Sequence, residues 1–309
     1  MRISTRAIMS GYNRNLNKTI NNLYSSQTTV LTQRNFNSIA ENPSSASRSF
    51  KLWREYNQNA DYLENANTTL EIFDSVASST LQVSKILSED VSEDALKAVN
   101  GATSYEARQT YATTLRGMQE SIILSMNTTY GDRFLFGGAS TKEVPFELGD
   151  DGKLYYRGVD VNSTDPDDVK KLEDFMKETL YVDLGFGMKE DATGAIEEDS
   201  VFNTAISGIK MLGYGNTDDG ISKNVVTLLG QMADELEKEP LDEQRYNELL
   251  KQFTESKNDV ADFAADLGTD CEFLENIKTK LESTSDTLNG QIINVDQADM
   301  PAAITNYIW

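Results

Sequence analysis

The sequence predicts a mainly α-helical protein that carries a small α+β insert. Apolar residues recur at helical spacing near both ends of the chain, whereas glycines and strand-like patterns concentrate in residues 141–224. Only five prolines occur in 309 residues, so the helical stretches are largely uninterrupted. We therefore predict a long antiparallel helical bundle, or rod, preceded by an N-terminal coiled-coil helix. The insert lies between the second and third long helices.

The N-terminal helix is predicted over residues 12–39. It presents a narrow apolar stripe at steps of three, four and seven: Tyr12, Leu16, Ile20, Leu23 and Val30. A stripe of this width needs a partner helix to bury it. Pro43 disfavours helical backbone at Asn42, and Ser44 or Ser45 is available as the next N-cap. The first helix is therefore predicted to end before this break.

Two rod helices are predicted before the insert. From about residue 46 to Asn100, a heptad repeat consists of Tyr56, Leu63, Leu70 and Ala77. Gly101 ends the pattern. The next helix, at roughly 104–129, places on one face Tyr111, Leu115, Met118, Ile122 and Met126.

The strongest periodicity begins at Tyr246 and continues to Val295. Steps of three and four residues give fifteen positions, of which eleven are apolar, a coiled-coil seam of seven heptads that includes Leu274. A helix of this length would measure on the order of 75 Å. It is too long for one compact domain.

The segment between these helices predicts a small mixed domain. It contains 19 acids and 9 cations. A four-residue loop at 149–152 predicts a hairpin between residues 144–148 and 154–158. Asp165 followed by Pro166 predicts the start of a short helix. The remaining patterns predict a strand at 180–188 and a helix at 200–212.

Composition excludes several classes of function. The chain has 28 Lys and Arg against 50 Asp and Glu, a net charge of −22, which disfavours nucleic-acid binding because phosphate contacts need clustered cations. It has no histidine, the commonest general base and metal ligand. The single cysteine, Cys271, allows no internal disulfide and no cysteine-based zinc site. No apolar run approaches the length of a membrane span.

No motif predicts catalysis, a cofactor or a bound metal. Gly185-Phe186-Gly187 lacks the third glycine of a dinucleotide-binding turn. The acidic clusters of the insert lack the ligand spacing of a calcium loop. Cys271, beside the seam, has no histidine to activate it and is expected to be inert.

Charge is distributed unevenly along the chain. Residues 1–40 contain five cations and no acid, with many Asn, Ser and Thr. Such a segment can be an organelle transit peptide, an arm for an acidic partner, or a segment that stays flexible until assembly. Composition alone leaves all three interpretations open.

The turn out of the rod carries a family resemblance. Gly131-Asp132-Arg133-Phe134-Leu135-Phe136-Gly137-Gly138, then Thr141 and Pro145-Phe146, resembles a segment of the flagellin-like axial proteins, in particular the hook-associated proteins of the hook–filament junction. The residues that carry this resemblance are Gly131, Arg133, Phe134, Phe136, Gly138, Pro145 and Phe146. Asp132 departs from the family pattern, because it stands between the glycine and the arginine. The small-residue break at residues 42–47 is similar to the break between inner-core helix and rod in the same family.

The resemblance implies a non-catalytic structural protein of the bacterial flagellum. It would be exported unfolded through the flagellar type III channel and become ordered on assembly, which favours the third interpretation of the N-terminus. The implied partners are further copies of the chain, the other hook-associated proteins, flagellin and a cytoplasmic export chaperone. It implies no nucleic acid, membrane, cofactor or small-molecule substrate.

Two alternatives accompany this expectation. One is a flagellin, the bulk filament subunit, which shares the fold and differs at residues 131–146. The other is a hydrolase with its site in the acidic insert.

The resemblance also predicts domain boundaries and a truncated end. The boundaries are 1–42 (N-terminal inner-core helix), 43–140 (two rod helices and the start of a hairpin), 141–224 (insert), 225–300 (rod return) and 301–309 (start of a C-terminal inner-core helix). Met300-Pro301 predicts a helix start of which only nine residues remain, so we expect a truncated final helix. The apolar stripe of the first helix would then lack an intramolecular partner.

Overall fold

The computed structural model describes residues 5–98, 104–149, 152–191, 193–194, 196–197 and 200–308. The helices are α1 (Thr5–Thr32), α2 (Pro43–Lys85), α3 (Ser92–Ala98), α4 (Tyr105–Met126), α5 (Pro166–Met176), α6 (Gly208–Leu212), α7 (Val225–Leu236), α8 (Glu243–Asp296) and α9 (Met300–Ile308). The strands are β1 (Thr129–Tyr130), β2 (Arg133–Phe134), β3 (Phe146–Leu148), β4 (Leu154–Tyr156), β5 (Val159–Asp160), β6 (Tyr181–Val182) and β7 (Phe202–Asn203). The predicted class, mainly α with an α+β insert, is confirmed.

The chain divides into two compact units. The first comprises Met1–Glu64 and Lys278–Trp309, and the second comprises Asn65–Ile277. Helices α2 and α8 contribute residues to both units, and the insert lies within the second. The domain boundaries predicted from the sequence remain a prediction.

The first unit has a core where α2 meets the end of α8. Leu52, Ile292 and Val295 are buried together, with Phe36, Tyr56 and Leu288 packed against them. Asn59 donates a buried hydrogen bond to the Leu281 carbonyl at 2.9 Å. The indole of Trp53 donates to the Asp296 carboxylate at 3.1 Å.

The start of α2 corrects the predicted N-cap. The side chain of Asn42 accepts a hydrogen bond from the backbone N–H of Ser45 at 3.1 Å, so Asn42 caps the helix instead of Ser44 or Ser45. Pro43 occupies the first turn, where its missing N–H costs nothing.

The helix predicted from 46 to 100 is interrupted. A π-helical turn at Ile86–Val91 separates α2 from α3. The Ser92 hydroxyl donates to the Leu87 carbonyl at 2.7 Å across this turn. The heptad pattern gave no indication of the interruption, because Leu87 and Val91 both remain buried. The predicted stop at Gly101 lies outside the described residues.

Helix α4 matches its predicted span, and three of the five residues predicted on its apolar face are fully buried. Its fully buried apolar side chains are Ala112, Leu115, Ile122 and Met126, while Tyr111 and Met118 are half-buried. The helix packs closely against α7. Gln119 lies at this contact and donates to the Val226 carbonyl at 2.9 Å. Because the buried face includes this polar residue, an apolar-only pattern did not identify the whole face.

The long seam of α8 is confirmed as one helix. Ten of the fifteen seam positions are buried: Tyr246, Leu249, Phe253, Ser256, Val260, Leu267, Leu274, Ile277, Leu281 and Val295. Near its end, Ile292 is buried in place of Gln291. Burial raises the pKa of the Tyr246 hydroxyl, which donates to the Ala95 carbonyl at 3.1 Å.

The insert contains the predicted hairpin and helix. Strands β3, β4 and β5 form an antiparallel sheet, and Asp165 caps α5 by accepting from the N–H of Asp167. The tip of the hairpin loop lies outside the described residues. Two other predictions were wrong. The strand at 180–188 is reduced to β6, which pairs with β7, and the helix at 200–212 is reduced to α6.

Candidate functional site

The residues 131–146, hereafter the turn segment, begin with a tight hairpin. Tyr130 pairs with Arg133, which leaves Gly131 and Asp132 as a two-residue loop. Gly131 has φ +58°, a conformation that glycine adopts without strain. Glycine at this position therefore allows the chain to reverse direction shortly after α4 ends.

A buried aromatic pair anchors the turn segment to the insert. Phe136 and Phe146 are fully buried, and the Phe146 ring lies 4.9 Å from that of Tyr156. The Tyr156 hydroxyl donates to the Phe136 carbonyl at 3.0 Å and lies 3.2 Å from the Ser207 hydroxyl. Burial raises the pKa of Tyr156. These contacts join three separate parts of the chain.

Two glycines allow close backbone packing around this pair. A Cβ on Gly137 would overlap the Ser140 carbonyl oxygen. A Cβ on Gly208 would lie 2.6 Å from the Phe146 ring. The N–H of Gly208 donates to the Phe136 carbonyl at 2.9 Å. The Ser140 backbone at Gly137 and the Phe146 ring at Gly208 therefore exclude larger side chains at these two positions.

A half-buried ion pair holds the middle of the turn segment. Arg157 and Glu178 approach to 2.8 Å, and the same Glu178 oxygen accepts from the N–H of Ala139 at 2.8 Å. The Arg157 guanidinium lies 4.2 Å from the centre of the Phe175 ring. Gly138, with φ +66°, would bring a Cβ within 2.7 Å of that same oxygen. Glu178 therefore fixes the segment at Gly138 and Ala139.

Asn127 fixes the other end of the segment. Its amide donates to the Phe146 carbonyl at 2.7 Å and accepts from the Phe146 N–H at 3.0 Å. Pro145 is buried, and its carbonyl accepts from the N–H of Arg157 at 2.9 Å.

The sequence predicted the segment but not the residues that hold it, which are Asn127, Tyr156, Arg157 and Glu178. Arg157 precedes a glycine and has φ +50°, yet nothing in its local pattern indicates an ion pair with a residue 21 positions later. The aromatic run of β4 was the one available signal for Tyr156.

Arg133 and Phe134 lie at the outer surface of the turn segment. Arg133 is exposed and Phe134 is half-buried. Both line a small cleft with Ile72, Leu180 and other residues.

The predicted interface of α1 is largely exposed. Tyr12 is 64% exposed, Leu16 43%, Ile20 44% and Leu23 51%, whereas Val30 is half-buried. Helix α9 packs against α1, and the Ala298 N–H donates to the Gln33 carbonyl at 3.0 Å. Part of α1 thus has an intramolecular partner that we did not expect. The stripe from Tyr12 to Leu23 stays uncovered.

The described residues contain no cluster of three or more metal-ligating side chains. Burial raises the pKa of the half-buried Cys271 thiol, with nearby carboxylates adding to the effect, and this lowers the thiolate fraction. Within the same part of the chain, no helix combines the length and the apolar character needed to cross a membrane.

Comparison with known proteins gives a consistent result. The family described as the bacterial flagellin N-terminal helical region matches residues 3–141. A Vibrio parahaemolyticus protein, provisionally called a flagellar hook-associated protein, superposes with a TM-score of 0.65 at 18% identity, covering 83% of this chain and 100% of its own. No curated protein sequence matches the chain.

Two other solved structures are similar. Flagellar hook-associated protein-3 (HAP-3) of Legionella pneumophila gives a TM-score of 0.59 at 11% identity, covering 79% of this chain and 98% of its own. FlgL of Bacillus cereus gives 0.55 at 16% identity, covering 79% and 99%. At these identities the likeness establishes the fold. Residues 3–141 thus match the bacterial flagellin N-terminal helical region, and the chain has the fold of the flagellar hook-associated proteins.

Proposed function

We propose that this protein is a structural component of the bacterial flagellum that joins hook to filament. The observation that carries the proposal is the turn segment. Its glycines and buried phenylalanines have specific roles in the geometry by which the chain leaves α4 and enters the insert. This segment separates the hook-associated proteins from the flagellins in the resemblance on which the proposal rests.

The proposed mechanism is helix packing between subunits. The stripe Tyr12, Leu16, Ile20 and Leu23 remains exposed on α1, and an exposed row of large apolar side chains is typical of a surface that binds another protein. Neighbouring subunits would cover this row in the assembled structure. We therefore assign these four residues to contacts between subunits.

The proposed partners are copies of this chain, other hook-associated proteins and flagellin. The proposed route to the extracellular flagellum is flagellar export with an export chaperone. The proposal includes no catalytic step.

Gene deletion with complementation tests the proposal. Cells that lack the gene should keep hooks but lose attached filaments, and complementation should restore them. Immuno-electron microscopy should place the protein in a narrow band between hook and filament. Filaments that stay attached in the deletion strain would contradict the proposal.

The distribution of label separates this function from that of a flagellin. Label along the whole filament, with this polypeptide dominating sheared filaments by mass spectrometry, would identify the chain as the bulk subunit. A complementing Leu16→Asp variant adds a test of the mechanism, because a charge in the exposed stripe should block assembly without unfolding α2 and α8. The matched control is Asn17→Asp, which places the same charge beside the stripe.

A further inference from the structure

Most residues of the turn segment that carry the family resemblance have a structural role, but the side chain of Arg133 has none in the described part of the chain. Gly131 makes the hairpin loop, and Phe136 and Phe146 form the core beneath it. Arg133 is exposed, and among the described residues its guanidinium has no hydrogen bond or ion pair. Its side chain therefore contributes little to the stability of the insert.

A nearby carboxylate is already engaged. Glu71, on α2, accepts a hydrogen bond from the Tyr130 hydroxyl, and this contact raises the pKa of Tyr130. Tyr130 is the residue that pairs with Arg133 across the hairpin. Glu71 thus already binds the cross-strand neighbour of Arg133.

Arg133 borders a cleft that suits a protein side chain. The cleft holds about 40 Å³ and is lined by apolar atoms of Ile72, Phe134 and Leu180. Binding sites for small molecules occupy about 300–1,000 Å³, so this space is too small for a ligand of that kind. It accommodates the end of one apolar side chain.

The backbone beneath Arg133 is already held in place. The Phe134 N–H donates to the Thr141 carbonyl at 2.8 Å, and the Leu135 N–H donates to the Thr128 carbonyl at 3.1 Å. A rigid hairpin lowers the ordering cost of binding. Arginine beside an apolar pocket is a common centre of protein interfaces.

The charge of the chain indicates the partner. The protein carries 50 acids against 28 cations, so the surface of a second copy offers many carboxylates to an exposed arginine. We propose that Arg133 and its cleft bind a second copy of this chain: the guanidinium pairs with a carboxylate of that copy, and a neighbouring apolar side chain of that copy enters the cleft. This inference rests on the proposed function, because it assumes assembly of like subunits.

Photo-crosslinking from the hairpin tip tests this contact. Asp132→Cys in a Cys271→Ser background places a benzophenone label beside Arg133 without removing it. The full-length protein is then crosslinked both at high concentration and in isolated flagella. We expect adducts between two copies that map to an acidic segment. Adducts to a different protein, or a yield equal to that of a label at Lys142→Cys, would overturn the proposal.

Charge reversal supplies the matched comparison. Arg133→Glu should lower the crosslink yield by about tenfold or more, the loss expected when an interface arginine is removed. Lys142→Glu makes the same charge change at another exposed cation of the turn segment and should alter the yield less than about twofold, as exposed rim charges do. Equal effects of the two reversals would show general electrostatics and would refute a specific contact.

The outcomes separate this inference from the proposed function. If the protein lies at the hook–filament junction but Arg133→Glu crosslinks normally, the inference fails and the function stands. A second outcome is that the protein lies elsewhere while the label at residue 132 still crosslinks to a second copy in solution, in a way that depends on Arg133. In that case the function fails and the contact stands.

Discussion

Gly208→Ala should destabilise the insert, although alanine normally favours a helix. The added Cβ would lie 2.6 Å from the Phe146 ring and 3.0 Å from the Phe136 Cβ. Carbon atoms in contact prefer about 3.5–4.0 Å, so the overlap with the ring is roughly 1 Å. One of the three groups must move.

The surrounding contacts oppose such a movement. Phe136 and Phe146 are fully buried, and the Phe136 carbonyl accepts hydrogen bonds from Gly208 and Tyr156. Overpacking of a rigid core costs about 1–3 kcal/mol. Replacing glycine by alanine inside a helix gains roughly 0.5–1 kcal/mol, which is an upper value for Gly208 because it is the first residue of α6. Taking the upper overpacking value gives a net loss of about 2 kcal/mol.

Gly117→Ala provides the control. Gly117 lies in α4, within the same unit, and its added Cβ would meet no atom within 4 Å. The same substitution should there stabilise the unit by roughly 0.5–1 kcal/mol. Only Gly208→Ala creates a steric overlap. The opposite signs of the two stability changes therefore separate the steric cost from the helix preference of alanine.

Hydrogen exchange in the full-length protein measures both effects. Peptides that contain Phe136 and Phe146 should exchange faster in Gly208→Ala and no faster in Gly117→Ala. Tryptophan fluorescence is a poor substitute, because Trp53 belongs to the other unit and Trp309, the second of two tryptophans, lies outside the described residues. A Gly208→Ala variant at least as protected as the wild type would refute the close-packing argument.

Three further predictions concern other parts of the chain. Glu178→Ala should lower the free energy of unfolding by about 2–3 kcal/mol, because it leaves the half-buried Arg157 without its partner. This loss is smaller than that expected for a fully buried ion pair. In urea denaturation, the double variant Arg157→Met/Glu178→Leu should recover part of the lost stability. Leu274→Asp should cost several kcal/mol, because it places a charge at a fully buried seam position; unchanged thermal melting would contradict the seam. Burial and the nearby Asp266 raise the pKa of Asp270. Its ionised form is therefore less favourable in the folded protein than in the unfolded chain, so the free energy of unfolding falls as pH rises through the ordinary carboxyl pKa. Asp270→Asn should therefore raise the melting temperature at pH 7 relative to wild type and give no gain near pH 3.

Local rules in the sequence predicted the elements whose signals lie within a few residues. Asp165 and Pro166 mark the start of α5 because a cap and a first-turn proline act on the adjacent backbone. The hairpin of β3 and β4 was predicted by its loop for the same reason. The seam of α8 repeats over so many turns that its period was unambiguous.

The errors occur where distant contacts override local preference. Residues 200–207 have a helical pattern, but Phe202 pairs with Val182 and its ring lies 5.3 Å from that of Phe73. Similarly, the ion pair of Arg157 with Glu178 depends on where α5 ends. Such pairings follow from the tertiary fold, so a single sequence does not indicate them.

The stripes of α1 and α8 have the same spacing but different environments. Leu274 of α8 is fully buried, whereas Leu16 of α1 is 43% exposed. Periodicity indicates that a helix needs a partner, but it does not say whether that partner is in the same chain. The exposed halves of Tyr12, Leu16, Ile20 and Leu23 would contribute roughly 1 kcal/mol each if covered, or about 4 kcal/mol together. Association of two proteins costs an estimated 4–15 kcal/mol, so these four residues alone are too weak to hold two subunits together. Stable assembly then requires several contacts made at once. Once one surface, such as that of Arg133, has bound a neighbouring subunit, the α1 stripe meets its own partner at a high effective concentration, and the two contacts strengthen each other.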